Sequence, residues 1–434
     1  MAEHFKHIIL LIIAKYIVWH KYLLGCVELF FKSTLGIKFY KVSYENWKLS
    51  LSKEAQAILR NEDHVRKGFQ VLFSDLQKNS ELSSVGYRNI LKDMTNGLEN
   101  KASIRTAVKA DPKLAKTKFK SPVIILTLAR TGSTFINCLL AKDKRWKAPE
   151  LWELLRTTPI REEPLSIENK ALLETYETSF AVHRLASNKN LFKIHSVGPT
   201  DPDDFLAFLI GEGLYVQSQR ILKLPNYSKY INDLSHDTFV KIYKNIKLNL
   251  SVLAAHQNME NKRFLLIQHL GPSVNALAML NVFPDAQLIT LHRDLCKIIP
   301  SMTSLYSYLG EHYLKPHYNN TQEICDRLTE SYVSSIEKMM KWRNDPLIKK
   351  APFKRVIDIN FEDLVKDSKK VIRELYRDIK MEYNDECNEI FENYINKQQD
   401  HKHGIHNYQK MLLDKEAIRQ RTEDYVKKFH VKIY

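Results

Sequence analysis

Ala129, Arg130, Thr131, Gly132, Ser133 and Thr134 close the apolar run VIILTLA and lead straight into the apolar segment FINCLL. A loop between a strand and a helix presents backbone N–H groups at the helix N-terminus, where the helix dipole favours an anion. The hydroxyls of Thr131, Ser133 and Thr134 add donors around one point, and Arg130 adds a fixed cation. The chemistry is that of a phosphate cradle, although an ordinary Thr/Ser-capped helix after a strand reads the same way. It is not the GxxxxGK[ST] loop, because Thr127 stands where that pattern needs its first glycine and Ser133 where it needs lysine. A second constellation follows in QLITLHRD, where Arg293 and Asp294 end an apolar run and Ser301 comes eight positions after the arginine. An arginine at the end of a strand and a serine in the next helix can reach one phosphate in the crevice where open α/β sheets bind ligands. The two anchors together suit a nucleotide with phosphates at both ends of its ribose.

The elements that must position these residues are legible from periodicity. VIILTLA, FLLIQHL (264–270), QLITLH (287–292) and RVIDINF (355–361) are short, apolar and rich in β-branched residues, as in parallel strands buried on both faces. Helix-length segments separate them, which implies βαβ crossovers and a parallel sheet covered by helices. Residues 1–117 read as helical, with apolar residues at three- and four-residue spacing in SKEAQAILRNEDHVRKGFQVLFSDL, where Ser52 is a plausible N-cap. The expected division is a helical N-terminal region (1–117), an α/β domain (118–380) and a helical C-terminal extension (381–434) that completes the site.

The chain has 434 residues, 44% hydrophobic and 27% charged, enough for a large core; twelve Gly and fourteen Pro argue against a turn-rich all-β protein or a collagenous one. A net charge of +16 attracts an anionic partner, yet no helix-turn-helix, RNP or zinc pattern supports nucleic acid, which is not expected. Five scattered cysteines without a CxxC pair suggest neither disulfides nor zinc, and fit a reducing, cytoplasmic setting. No clustered Asp/His set calls for a metal. Near the N-terminus the longest apolar run is only Ile8 to Ala14, too short to span a bilayer. Residues 5–31 keep a broad apolar face, which leaves three readings: a helix docked on the domain, a peripheral membrane helix, or an uncleaved signal-anchor.

SPVIILTLARTGSTFINCLLAKDKRWKAPELWEL resembles the 5′-phosphosulfate loop of the sulfotransferase family, and FPDAQLITLHRDLCKIIPSMTSL resembles its 3′-phosphate motif. The likeness is to the bacterial branch with PRTGTT, a following WE, and HRDP; it runs from about 118 to 425, through INFEDLV and HKHGIHNY. The resemblance implies a P-loop-like α/β fold and transfer of a sulfonate from 3′-phosphoadenylyl sulfate (PAPS) to a hydroxyl or amine of a small-molecule, lipid or glycan acceptor. Carried over by position, Arg130 contacts the 5′-phosphosulfate, Thr131, Gly132, Ser133 and Thr134 form its cradle, and Arg293 and Ser301 hold the 3′-phosphate. As the base that deprotonates the acceptor, Glu153 matches the family's WE, with Glu150 its neighbour and rival; His195, in KIHSVGPTDPDD, ranks second.

Four positions depart from the pattern. Where the family usually has LKSP with a histidine two residues beyond, this chain reads LLIQHLGPS, so Gln268 replaces the lysine and Pro272 the histidine. If that lysine helps neutralise the sulfonate, the site has lost a cation, for which His269 could substitute in part. Ala129 for proline in the loop and Leu295 for the proline of HRDP are milder changes. The alternative is therefore a homologue that binds the nucleotide but turns over weakly or not at all, acting as a scaffold.

Overall fold

The structure is a computed structural model that describes residues 41–433 apart from 80, 159–166, 187–190, 192–197, 258, 260–261, 316–317 and 401–410, together with scattered positions between 9 and 23. From residue 41 to the sheet the α-helices are α1 (Tyr44–Leu49), α2 (Lys53–Asn61), α3 (Asp63–Lys78) and α4 (Ser84–Ala110). Ser52 caps α2 through its Oγ, which accepts from Ala55 N at 3.1 Å, and Ala55, Ile58 and Leu59 turn into the core.

The sheet is formed by β1 (Lys120–Thr127), β2 (Trp146–Lys147), β3 (Arg263–His269), β4 (Gln287–His292) and β5 (Val356–Asn360). Its order is β2-β3-β1-β4-β5 and every pair is parallel, as the buried apolar runs predict. Between β1 and β3 lie α5 (Ser133–Leu140), α6 (Leu151–Leu155), α7 (Ile167–Ala186), α8 (Leu206–Gly211), α9 (Val216–Ile221), α10 (Pro225–Asn232) and α11 (His236–Ala255). Then follow α12 (Ala276–Val282), α13 (Leu295–Gly310), α14 (Thr321–Trp342) and α15 (Pro346–Lys349). After β5 come α16 (Phe361–Lys366), α17 (Ser368–Asp378), α18 (Asp385–Asp400), α19 (Lys415–Arg421) and α20 (Glu423–Phe429).

Strand alternation divides the core in two. Ile124, Leu126, Leu266 and Leu288 face a large cluster with residues of α4, α11, α13 and α14, whereas Val123, Ile125, Leu265, Ile267 and Ile289 face α5, α17 and α18. Two of the ties between the N-terminal helices and the rest lie side by side. Glycines let α4 and α8 touch: a Cβ on Gly211 would stand 2.7 Å from the Gly97 carbonyl oxygen. Beside that contact Lys101 donates to Glu62 at 2.7 Å and to Glu212 at 2.8 Å, and His64 Nε2 lies 2.9 Å from Glu212. Burial opposes the charge on Glu212, but Lys101 and His64 outweigh it and hold the carboxyl down at about 2.

Among the described residues no helix is long and apolar enough to cross a membrane. Ile12, Tyr16 and Trp19 are exposed; most of the segment 5–31, and HKHGIHNY (401–408), lie outside the described residues.

Candidate active site

β1 runs into a loop with two left-handed residues, Arg130 at φ 68° and Gly132 at φ 90°. Gly132 needs to be glycine twice over, since a Cβ there would also meet Leu364 at 3.2 Å and Phe361 at 3.3 Å. For a non-glycine residue such as Arg130 the left-handed backbone costs about 1–2 kcal/mol, strain of the kind concentrated at functional loops. Thr131 locks the turn from within: its hydroxyl donates to the Leu128 carbonyl at 2.8 Å and lies 3.1 Å from the Thr127 hydroxyl. That leaves the backbone N–H groups, the buried Ser133 and the exposed Thr134 at the start of α5.

The second anchor closes on the first. Arg130 Nε donates to Ser301 Oγ at 3.0 Å, and Arg293 Nη1 donates to the Arg130 carbonyl at 2.6 Å. The Arg293 guanidinium lies 3.9 Å from the centroid of the Phe361 ring, and its backbone N–H donates to Tyr425 OH at 3.2 Å. The C-terminal helix α20 thus braces Arg293, helped by Phe429, which stacks on His292 at 4.0 Å. Arg293, Lys297, Lys366 and Lys432, with one carboxylate, Glu362, edge an open pocket of about 450 Å³ whose apolar wall is Phe361 and Val365. Four cations around one aromatic wall suit a phosphorylated nucleoside.

At the end of β3, Gln268 and His269 point to opposite faces. Gln268 is 2% exposed; its Oε1 accepts from Tyr243 OH at 3.2 Å, and its Nε2 has no partner among the described residues. His269 reaches the cradle instead, with Nε2 3.3 Å from Ser133 Oγ and Nδ1 3.0 Å from Asp204 Oδ2. With Nδ1–H donating to Asp204, Nε2 is the ring's proton acceptor. Asp204 sits in the DPDD run, a signal the sequence carries but that only the fold connects to His269, 65 positions away.

Glu153 is engaged at both oxygens. Oε1 accepts from Lys147 Nζ at 2.7 Å and from Gln257 Nε2 at 3.0 Å, and Oε2 accepts from Glu150 N at 2.8 Å. With Glu150 it forms a reciprocal capping box at the start of α6. Glu150 in turn accepts from Trp152 Nε1 at 2.7 Å, and burial raises its pKa. His195 lies outside the described residues.

The loop, the cationic pocket and the His269 pair meet at the C-terminal ends of β1, β3 and β4, where such sheets bind ligands. Among solved structures, the chain is similar to the sulfotransferase STF1 from Mycobacterium tuberculosis H37Rv, with 18% identity and a TM-score of 0.69 over 87% of this chain and 98% of that one. It is also similar to the sulfotransferase STF9 from Mycobacterium avium, with 17% identity and a TM-score of 0.72 over 92% of this chain and 99% of that one. At these identities the likeness speaks for the fold, a parallel sheet flanked by helices. No protein with a curated description matches. The sulfotransferase family model matches residues 122–385, a span that opens inside β1 and reaches the first residue of α18. Over more than half its length, then, this chain belongs to the sulfotransferase family, transferases that move a sulfonate from a donor co-substrate to a small-molecule acceptor.

Proposed function

We propose that the chain transfers a sulfonate from PAPS to a hydroxyl or amine of a small-molecule, lipid or glycan acceptor. The observation that carries this reading is the Arg130–Ser301 bond, which joins the two phosphate motifs across 171 positions. Arg130 and the backbone N–H groups of Thr131 to Thr134 hold the 5′-phosphosulfate, and Arg293 and Ser301 hold the 3′-phosphate. Donors fixed in this way stabilise the negative charge that grows on the departing 5′-phosphate without having to reorganise.

In the transfer, the acceptor's oxygen or nitrogen bonds to sulfur as the bond from sulfur to the 5′-phosphate oxygen breaks, and the acceptor's proton goes to a base. Geometry favours His269 Nε2 for that base over Glu153, because His269 is oriented by Asp204 and touches the cradle while both oxygens of Glu153 are occupied. The helical region 1–117, the α/β domain 118–380 and the extension 381–434 act as one unit in this reading, the extension contributing Tyr425 behind Arg293. The exposed Ile12, Tyr16 and Trp19 support peripheral membrane contact near the N-terminus.

The test has two arms. Incubation with labelled PAPS and a metabolite and lipid extract should yield a species heavier by SO₃. In calorimetry, Arg293→Ala should weaken adenosine 3′,5′-bisphosphate (PAP) by about 1.5–3 kcal/mol, the worth of a charged hydrogen bond, and AMP far less. Equal losses for PAP and AMP would sink the 3′-phosphate assignment, and PAP binding without any labelled product would favour the scaffold.

A further inference from the structure

Arg220, on α9, is a buried cation with no carboxylate in contact; among the described residues Asp204, itself paired with His269, is the carboxylate that acts on it from beyond 4.0 Å. It is 9% exposed; Nη1 donates to Tyr306 OH at 2.7 Å, and the guanidinium lies 5.5 Å from the centroid of that ring. Nε is buried without a hydrogen-bond partner among the described residues, none of which brings a carboxylate within 4.0 Å of the guanidinium. Lys101 is held by Glu62 and Glu212 and Arg343 by Asp358; Arg355, whose Nε is likewise buried without a partner among the described residues, differs in giving its Nη1 to the carbonyls of Pro284 and Ala286. Buried charges are ordinarily paired, because an unpaired one forfeits its hydration without return. A guanidinium resting on one tyrosine is a group built to meet an anion from outside.

Its position says which anion. Leu266 and Leu270 of the β3 segment lie in the same core cluster as Val216, Ile221 and Leu222 around α9, so Gln268 and Arg220 belong to one face of the sheet. A Cβ on Gly271, just past β3, would meet Arg220 Nη2 at 3.5 Å. The residue before it, Leu270, donates its N–H to the Thr127 carbonyl at 2.7 Å, at the root of the Arg130 loop. Tyr332 of α14 links the two arginines: burial raises its pKa, and Arg220 and Arg130 both act against that rise, so its hydroxyl is within electrostatic reach of both. That hydroxyl, too, is buried without a partner among the described residues. Nε and Nη2 form one edge of the guanidinium, the two-donor fork that matches two oxygens of a planar or tetrahedral oxyanion; Tyr306 takes Nη1, and Nε on that edge is buried without a partner among the described residues.

We propose that Arg220 supplies from α9 the cation that Gln268 does not, binding two sulfonate oxygens through its Nε–Nη2 edge as the group passes from donor to acceptor. The inference rests on the PAPS reading. Arg220 exchanges no proton in the step; it is a fixed charge, while the acceptor's proton goes to the base.

PAP lacks the sulfonate, so comparing PAP with PAPS in calorimetry isolates this contact without knowledge of the acceptor. Arg220→Met should weaken PAPS at least tenfold more than PAP and lower the rate of labelled product formation by about 10²–10³, the loss seen when one preorganised donor is removed. Gln268→Lys added to Arg220→Met should restore at least tenfold of that rate. Arg220→Lys, which keeps the charge but not the fork, provides the comparison if the methionine variant does not fold; it should shift the PAPS-to-PAP ratio in the same direction by a smaller factor. Parallel loss of both ligands, or an unchanged ratio with unchanged turnover, overturns the role of Arg220 and leaves the PAPS reading standing. Failure of the wild-type protein to bind PAP removes both.

Discussion

His269 and Glu153 illustrate how much a residue's chemistry depends on which of its atoms are spoken for. Each stands beside a carboxylate, Asp204 or Glu150, but His269 keeps a nitrogen toward the loop after β1, while Glu153 has given its oxygens to Lys147, Gln257 and the α6 cap. His269→Asn should therefore lower kcat by roughly 10² to 10⁴ with PAP affinity retained, the usual span for losing a general base. Glu153→Gln should act mainly on the fold, lowering stability by about 1–3 kcal/mol because Lys147 loses its partner, with a smaller change in kcat. Thermal melts and turnover measured on both variants decide it; a rate loss confined to the glutamate variant reverses the roles. Glu153 stood out in the sequence because it matches the family's WE, and that match reads alike whether the glutamate caps a helix or serves a site. What separates the two, Lys147 and Gln257 on one side and Asp204 on the other, is brought in by the fold.

Elements with a strong local signal were legible, and those made by contact were not. Apolar runs announced β1, β3, β4 and β5, since a parallel strand covered on both faces is mostly apolar, the exposed Asp358 in the middle of β5 being an exception. The edge strand β2 has two residues, Trp146 and Lys147, paired with Arg263 and Phe264, too short for any period to register. The loop between β1 and α5 was legible from its residue types, but not the left-handed Arg130 within it. Nor could the meeting of α4 and α8 be read, because Gly97 and Gly211 are far apart in the chain and each looks like a weak point in a helix. Gly211→Ala should lower stability by about 1–3 kcal/mol, since its methyl would press on a backbone carbonyl that has no rotamer to yield. Denaturant melts check this, and a variant as stable as the parent would show that the two helices separate easily.

Over the whole molecule, the Lys101–Glu212 tie links acidity to the docking of the N-terminal helices. Glu212 has its pKa depressed from 4.5 to about 2 in the folded chain. Its contribution to stability is therefore complete above the unfolded value, and is lost as pH falls from about 4.5 toward 2. Lys101→Met should cost about 3–5 kcal/mol near neutrality, the penalty for stranding one member of a buried pair. The acid-side decline should flatten as well, because only His64 then acts against burial to lower the Glu212 pKa. Calorimetric Tm against pH, in parent and variant, gives both readings; parallel curves would mean that the tie carries no net energy. Four of the cations behind the net charge of +16, Arg293, Lys297, Lys366 and Lys432, gather around one pocket.

The order of the strands also sets a timetable for synthesis. β1 leaves the ribosome with residue 127, but its two neighbours, β3 and β4, begin only at residues 263 and 287. At about 5–20 residues per second the central strand waits on the order of ten seconds, its edges unpaired and its apolar faces uncovered. Through that interval the nascent chain presents a sticky ribbon to its surroundings, so the yield of folded protein depends on what shields residues 120–127 until the second half of the chain arrives.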